Sequence, residues 1–198
     1  MPLTRGRAKL ALAAVVPLLA AMFAIAFAGH IVGNPAHFVL KPVKPPVYWL
    51  PGTNNGSTDI NGQLLTVSLS ANKTTATVSA AITYGINEYV DVLRINVTNA
   101  PVTLYLYVSP TSSNVTSYLN TTASYIEIVN PTSGLVIFKE ALGQILSNGG
   151  LSNSISITSN GVYVVNIVLD VLDGKPLGSA LTLSMTLYYT KSSETPIT

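Results

Sequence analysis

Cysteine is absent from this chain, which removes disulfide frameworks, thiolate zinc sites and cysteine nucleophiles together. Charge is almost as scarce: charged residues make up 9% of the sequence against 48% hydrophobic. A chain so apolar and so weakly charged is not disordered, and its surface has to be covered mainly by Ser, Thr, Asn and Gly. The formal net charge of +2 overstates what little there is. Arg5, Arg7 and Lys9 all precede a long apolar run, and setting them aside turns +2 into about −1. No cluster of Lys and Arg interleaved with aromatics remains, so nucleic acid is excluded as a partner.

Histidine is nearly missing too. His30 and His37 both fall in a Pro-rich arm, where they make a poor base or zinc pair, and no Ser, His and acid set is positioned on regular elements. Glu88 with Asp91, and Asp170 with Asp173, are too few for calcium without added loop carbonyls and are read as solvated turn residues. The chain is therefore not expected to be an enzyme, and no cofactor or metal is expected.

Long hydrophobic runs are limited to one, in "RGRAKLALAAVVPLLAAMFAIAFAGH". A basic segment, an apolar span from Leu10 to Ala28 and the closing Ala26-Phe27-Ala28 form a secretory signal (residues 1–28), with cleavage between Ala28 and Gly29. A retained anchor is the competing reading, since the span approaches the ~20 residues needed to cross a bilayer. Pro17 and the A-x-A end favour cleavage, which makes the membrane a partner only during export and the location extracellular or cell-surface.

From residue 47 onward the pattern is strands broken by turn residues. "LLTVSLSANKTTATVSAAITY" alternates through Leu65, Val67, Leu69 and Ala76, Val78, Ala80, Ile82, with "SANKT" as a hairpin turn. Leu93, Ile95 and Val97 share a face opposite Val92, Arg94 and Asn96, and "TNAP" then makes a hairpin or corner into Val102–Val108. A turn at Asn130-Pro131 separates two further strands. Asn160-Gly161 is the strongest short hairpin signal in the chain. "SALTLSMTLYYT" closes the domain in strict alternation. Eight to ten strands at this spacing predict an all-β, jelly-roll-like antiparallel sandwich over residues 47–198. A short helix is expected where Phe138, Leu142, Ile145 and Leu146 recur at helical spacing before Gly149, and a second in "SSNVTSYLN".

The sequence does carry N-x-[ST] sequons, at Asn55, Asn72, Asn96, Asn114 and Asn120. In an exported protein these are candidate glycan acceptors, with Asn72 expected in a turn and Asn96 on an outward strand face.

Between the signal and the sandwich lies "GHIVGNPAHFVLKPVKPPVYWLPG". Its prolines forbid a helix, and "HIVGNPAHFVL" is too apolar for a stalk in water. "KPVKPP" is a stiff polyproline-like spacer that makes pairing with its own domain awkward. Residues 29–46 are therefore read as a donor strand (Ile31, Val32, Ala36, Phe38, Val39 and Leu40) plus spacer, which pairs with an open sheet edge of another copy. Burying Ile31, Val32, Phe38 and Leu40 is worth roughly 6–12 kcal/mol gross. Such a head-to-tail contact closes a ring or propagates as a filament.

The order of signal, short apolar segment, a strand ending in "INVTNAPVTLYLYV" and a final "VLDGKPLGSALTLSMTLYY" resembles the camelysin/TasA-like family, and especially the archaeal bundling pilins. The resemblance implies a jelly-roll subunit that polymerises by donor-strand complementation into extracellular pili, which bundle and support cell–cell adhesion and biofilm formation. Asn99-Ala100-Pro101 stands where that family has an N-x-G turn. The metal-site set that many members bring is not found in this sequence, so no peptidase activity is carried over. Two rivals remain: a type IV pilin-like subunit processed near Gly6 or Ala8 that keeps its N-terminal helix, and a monomeric, membrane-anchored surface-layer or sugar-binding domain.

Overall fold

Alternation of apolar with hydroxyl-bearing or charged residues recurs along the chain after residue 46, and it builds two sheets packed face to face. The computed structural model describes residues 44–58, 65–110, 115–174 and 181–190. Signal, cleavage site and donor-strand residues, as well as Asn114, lie outside them. Among the described residues no helix is long and apolar enough to cross a membrane.

The strands are β1 (Val47–Pro51), β2 (Thr66–Leu69), β3 (Thr75–Ala80), β4 (Gly85–Val97), β5 (Val102–Pro110), β6 (Tyr125–Val129), β7 (Val136–Ala141), β8 (Ile155–Ile157), β9 (Gly161–Val171) and β10 (Leu181–Thr190). One sheet has the order β1-β4-β9-β6-β7 and the other β2-β3-β10-β5-β8. All pairings between these strands are antiparallel. Each inward-facing row comes from period-two alternation: Leu93, Ile95 and Val97 on β4, Val165, Ile167 and Leu169 on β9, and Leu183, Met185 and Leu187 on β10 are all buried.

Two of the expected turns join neighbours in one sheet. β2 and β3 form a hairpin over Ser70–Thr74, and β6 and β7 form another after Asn130-Pro131. The other two are corners between sheets. "TNAP" carries the chain from β4 to β5, across a cis Ala100–Pro101 bond. Asn160-Gly161 does not close a hairpin: β8 pairs with β5 in one sheet, while β9 lies between β4 and β6 in the other. The two corners meet, because the Ala100 N–H donates to Asn160 Oδ1 at 2.7 Å. Asn160 gives its side chain to a neighbouring connection, and β8 and β9 take their strand partners in different sheets.

Helices are minor. α1 spans Val115–Tyr118 and α2 spans Leu142–Ser147. Phe138 belongs to β7, not to the helix; its burial comes from strand alternation, and the shared spacing with Leu142 is incidental. Gly149, at φ +67°, follows the last turn of α2, as a left-handed C-terminal position requires.

Trp49 lies fully buried on β1, and its indole N–H has no hydrogen-bond partner among the described residues. Replacing it by Ala removes the largest side chain of this strand and is expected to cost about 3–5 kcal/mol. Trp49→Phe should cost much less, because it keeps most of the buried ring volume while also removing an unpaired buried donor. Urea denaturation followed by circular dichroism checks this; equal losses in the two variants would refute it.

Candidate functional site

β4 is thirteen residues long, and its two sides are not equally used. β9 pairs with it along its length, from Gly85 opposite Val171 to Val97 opposite Gly161. On the other side β1 covers only Leu93 to Val97. Among the described residues, no strand pairs with Gly85–Val90 on the side that β1 occupies farther along.

The break between the two halves is a bulge. Tyr89 faces Ile167 and Leu93 faces Val165, so three β4 residues stand opposite Asn166 alone. Asp91 sits there at φ +50°, a left-handed position that Asp tolerates better than most residues. Its N–H would lack a strand partner, but Asn166 Oδ1 accepts it at 2.9 Å. In a regular strand Asp91 and Arg94 would point to opposite faces; the bulge puts them on one. Arg94 Nε and Nη2 then donate to the two Asp91 carboxylate oxygens at 2.8 and 2.6 Å, a bidentate fork.

This pair anchors a polar chain across the outer face of the sheet. Asn166 Nδ2 donates to Glu127 Oε1 on β6 at 2.9 Å. Glu127 Oε2 is 3.9 Å from Lys139 Nζ on β7, and that ammonium lies 3.6 Å from the Tyr125 ring centre. On the other side, Thr53 Oγ1 donates to Asp91 Oδ2 and Asn54 Nδ2 to the Val90 carbonyl. Asp91 is thus neither a turn residue nor half of an open acidic pair, and Asp170 on β9 accepts from Asn120 Nδ2 at 3.0 Å. Both correct the reading of these carboxylates as solvated turn residues. Among the described residues, no three His, Asp or Glu side chains gather in a group that could hold a metal.

The same loop steers β1 away from the open half. Gly52 donates its N–H to the Val92 carbonyl at 2.9 Å and Asn54 to the Asp91 carbonyl at 3.3 Å. A Cβ on Gly52 would stand 1.8 Å from the Asp91 carbonyl oxygen, so only glycine lets the chain cross the bulge this closely. Because a paired strand gives β9 the backbone groups of only every second residue, alternate residues between Gly85 and Tyr89 direct theirs to the other side. Beside them lies a groove of about 400 Å³, lined by Leu65, Asn54, Ile86, Asn87, Tyr89 and Val90 among others. Ile86 is 77% exposed and Val90 46%. Asn87 and Tyr89 are held in place by hydrogen bonds to Thr83, Gly85 and Ala81.

The entry of the chain matters equally. Val47 pairs with Val97, and the Thr98 N–H donates to the Pro46 carbonyl at 2.9 Å. The spacer therefore joins β1 at the end of β4 opposite to the open half.

Of the described sequons, Asn72 is exposed in the β2–β3 turn, and its Oδ1 accepts from Ser70 Oγ and from the N–H and Oγ1 of Thr74. Asn55 is exposed in the loop after β1, where its Oδ1 accepts the Val67 N–H at 2.9 Å. Asn96 does face outward, but its amide nitrogen donates to the Tyr48 hydroxyl, as that of Asn120 does to Asp170. The open half of β4 was not visible as such in the sequence; its one trace is a strand pattern much longer than "VYWLP", its partner.

The chain matches no known protein-family model and no curated protein.

Burial pushes the Asp91 carboxyl up, but hydrogen bonds from Arg94 and Thr53 and the Arg94 charge outweigh it and hold its pKa below the ordinary 3.8. A carboxylate depressed on folding contributes stability above its unfolded pKa and loses it as pH falls through the folded value. Asp91→Asn keeps the left-handed backbone accessible while removing the charge. The stability gap between wild type and this variant should be widest at neutral pH and narrow as pH falls below the ordinary carboxylate range, as read from urea midpoints; a gap unchanged by acid would contradict it.

Proposed function

We propose that this chain is a structural subunit of an extracellular filament of the camelysin/TasA-like, bundling-pilin kind, polymerising head to tail by donor-strand complementation. The edge of β4, which among the described residues is paired by β1 only from Leu93 to Val97, carries the reading. Among the described residues no strand pairs with Gly85–Val90 on the β1 side, and such an edge beside a groove of mixed polar and apolar lining is suited to accept one more extended segment, whose backbone would supply ladder bonds and whose alternate side chains would enter the groove.

Geometry and sequence favour a segment from another copy. Six strand residues extend about 20 Å, and the ten residues from Ile31 to Leu40 reach about 33 Å when extended, so the arm is long enough to fill the gap. The spacer enters β1 at the Val97 end, whereas the gap lies past the Pro51 end. To fill its own gap the arm would have to fold back along the whole of β1, against the stiffness of "KPVKPP". Donor and acceptor at opposite ends of one sheet edge are the arrangement that propagates as a filament instead of closing on itself. β7, the opposite edge of this sheet, is marked by charges: Lys139 projects from it and the buried Glu140 is tied to Asn153 at 2.8 and 2.7 Å, features that discourage strand addition. Export, cleavage after Ala28 and roles in adhesion, bundling and biofilms belong to the same proposal.

Because there is no native cysteine, paired cysteines report the contact directly. Phe38→Cys with Val90→Cys should give an oxidation-dependent ladder of covalent multimers on denaturing gels, with neither single variant doing so beyond a dimer. Deleting residues 29–40 should leave folded subunits without filaments. A ladder formed instead through Lys139→Cys, filaments that persist in the deletion, or a mature mass starting near Ala8 would overturn the proposal.

A further inference from the structure

The outer faces of the two sheets differ in chemistry. On the sheet of β1, β4, β9, β6 and β7, Glu88, Arg94, Glu127, Lys139 and Asp170 project outward. On the other, every outward strand position is Ser, Thr or Tyr. The registers align them in rows: Thr66, Ser79 and Thr182; Ser68, Thr77, Ser184 and Ser109; Thr75, Thr186 and Tyr107; Tyr188 beside Tyr105; Thr190, Thr103 and Ser156. Among the described residues, no charged side chain lies on these five strands' outer face. Hydroxyls pair across strands, Thr75 with Thr186 at 3.1 Å and Ser79 with Thr182 at 3.2 Å.

We propose that this hydroxyl face is a lateral contact surface whose partner is the same face of a second copy. Hydroxyls donate and accept equally, so two such faces are complementary to each other without a particular pairing of unlike residues. No charge has to be desolvated or brought against its like. The size suits a weak, reversible contact: the five strands, of 4, 6, 9, 3 and 10 residues and about 4.8 Å apart, present roughly 500 Å² per copy, below the ~800 Å² a partner contributes to a standard stable interface. A sugar platform would present aromatic rings flat to the ligand. Here Tyr107 and Tyr188 meet edge to face at 77° with centres 6.3 Å apart, and Tyr105 is 5% exposed. The contact stands independently of strand addition along β4, since it uses the other sheet.

Ser184 lies on β10, the middle strand of this sheet, opposite Thr77 and Ser109, so it falls near the axis of a face-to-face pair. Ser184→Lys and Ser184→Glu, made in the full chain and held in mild detergent, should each weaken self-association roughly tenfold or more by sedimentation velocity. An equimolar mixture of the two should recover it, which a misfolded variant could not do. Val162→Lys, on the opposite outer face, should leave it unchanged. Negative-stain images separate side-by-side association from end-to-end growth, so failure of this contact and failure of strand addition are told apart. The proposal is overturned if the wild type shows no lateral association up to about millimolar concentration, if the mixture associates no better than either variant, if Val162→Lys weakens it equally, or if the variants lose polysaccharide binding while self-association is retained.

Discussion

One hydrogen bond across a bulge sets the shape of this domain. Asn166 stands alone opposite three residues of β4, and by accepting the Asp91 N–H it gives the left-handed residue a partner that the ladder cannot. A buried N–H left unpaired costs about 1–3 kcal/mol, and at that point the strand would have reason to straighten or fray. With the bulge fixed, Asp91 and Arg94 share a face, Thr53 and Asn54 bind the same spot, and β1 is turned off β4 at Gly52. That turn ends the pairing of β1 with β4 at Leu93, and no other described strand takes it up along Gly85–Val90.

Elsewhere in the sandwich, backbone groups at the strand margins are partly taken up by connecting segments. The outer edge of β5 is taken by the segment leading into β8, through Val108 N–H to the Gly150 carbonyl, Ser152 N–H to Leu106, and the short ladder at Val102–Leu104. The Trp49 backbone N–H donates to the Lys73 carbonyl at 2.8 Å, joining β1 to the turn of the β2–β3 hairpin. Against this background the half of β4 with which no described strand pairs on the β1 side, beside a groove, is the feature that most invites a partner. A low-charge surface then permits copies to approach on the second, hydroxyl-covered face. Together the proposed contacts describe an assembly that grows along one sheet edge and associates sideways through the other sheet.

Most of the fold was legible in the sequence. The alternation in "LLTVSLSANKTTATVSAAITY" located β2, its turn and β3, and "LTLSMTLYY" located β10, because period-two patterning reports which side chains meet a core. The same alternation held the hydroxyl face in plain view, as Thr, Ser and Tyr at every second position. Its meaning emerged only when registers set five such strands side by side. Asn160-Gly161 misled because turn chemistry is local: it says that the chain reverses, not whether the next strand joins the same sheet. Phe138 misled for a related reason, since a residue four before Leu142 satisfies helical spacing whether it lies in a helix or at the end of a strand.

By itself the sequence determined the class of fold, the inward rows of the core, the absence of thiol and histidine chemistry after the arm, and an apolar, Pro-interrupted arm unsuited to water. All of these depend on composition and on neighbours along the chain. Only the tertiary structure decided that Asn166, a polar residue in a mostly apolar strand, fills the bulge of another strand, and that among the described residues β1 pairs with only half of β4. Such facts arise from pairing between residues as far apart as 75 positions, and strand register, which no local pattern contains, determines which backbone groups remain without a partner.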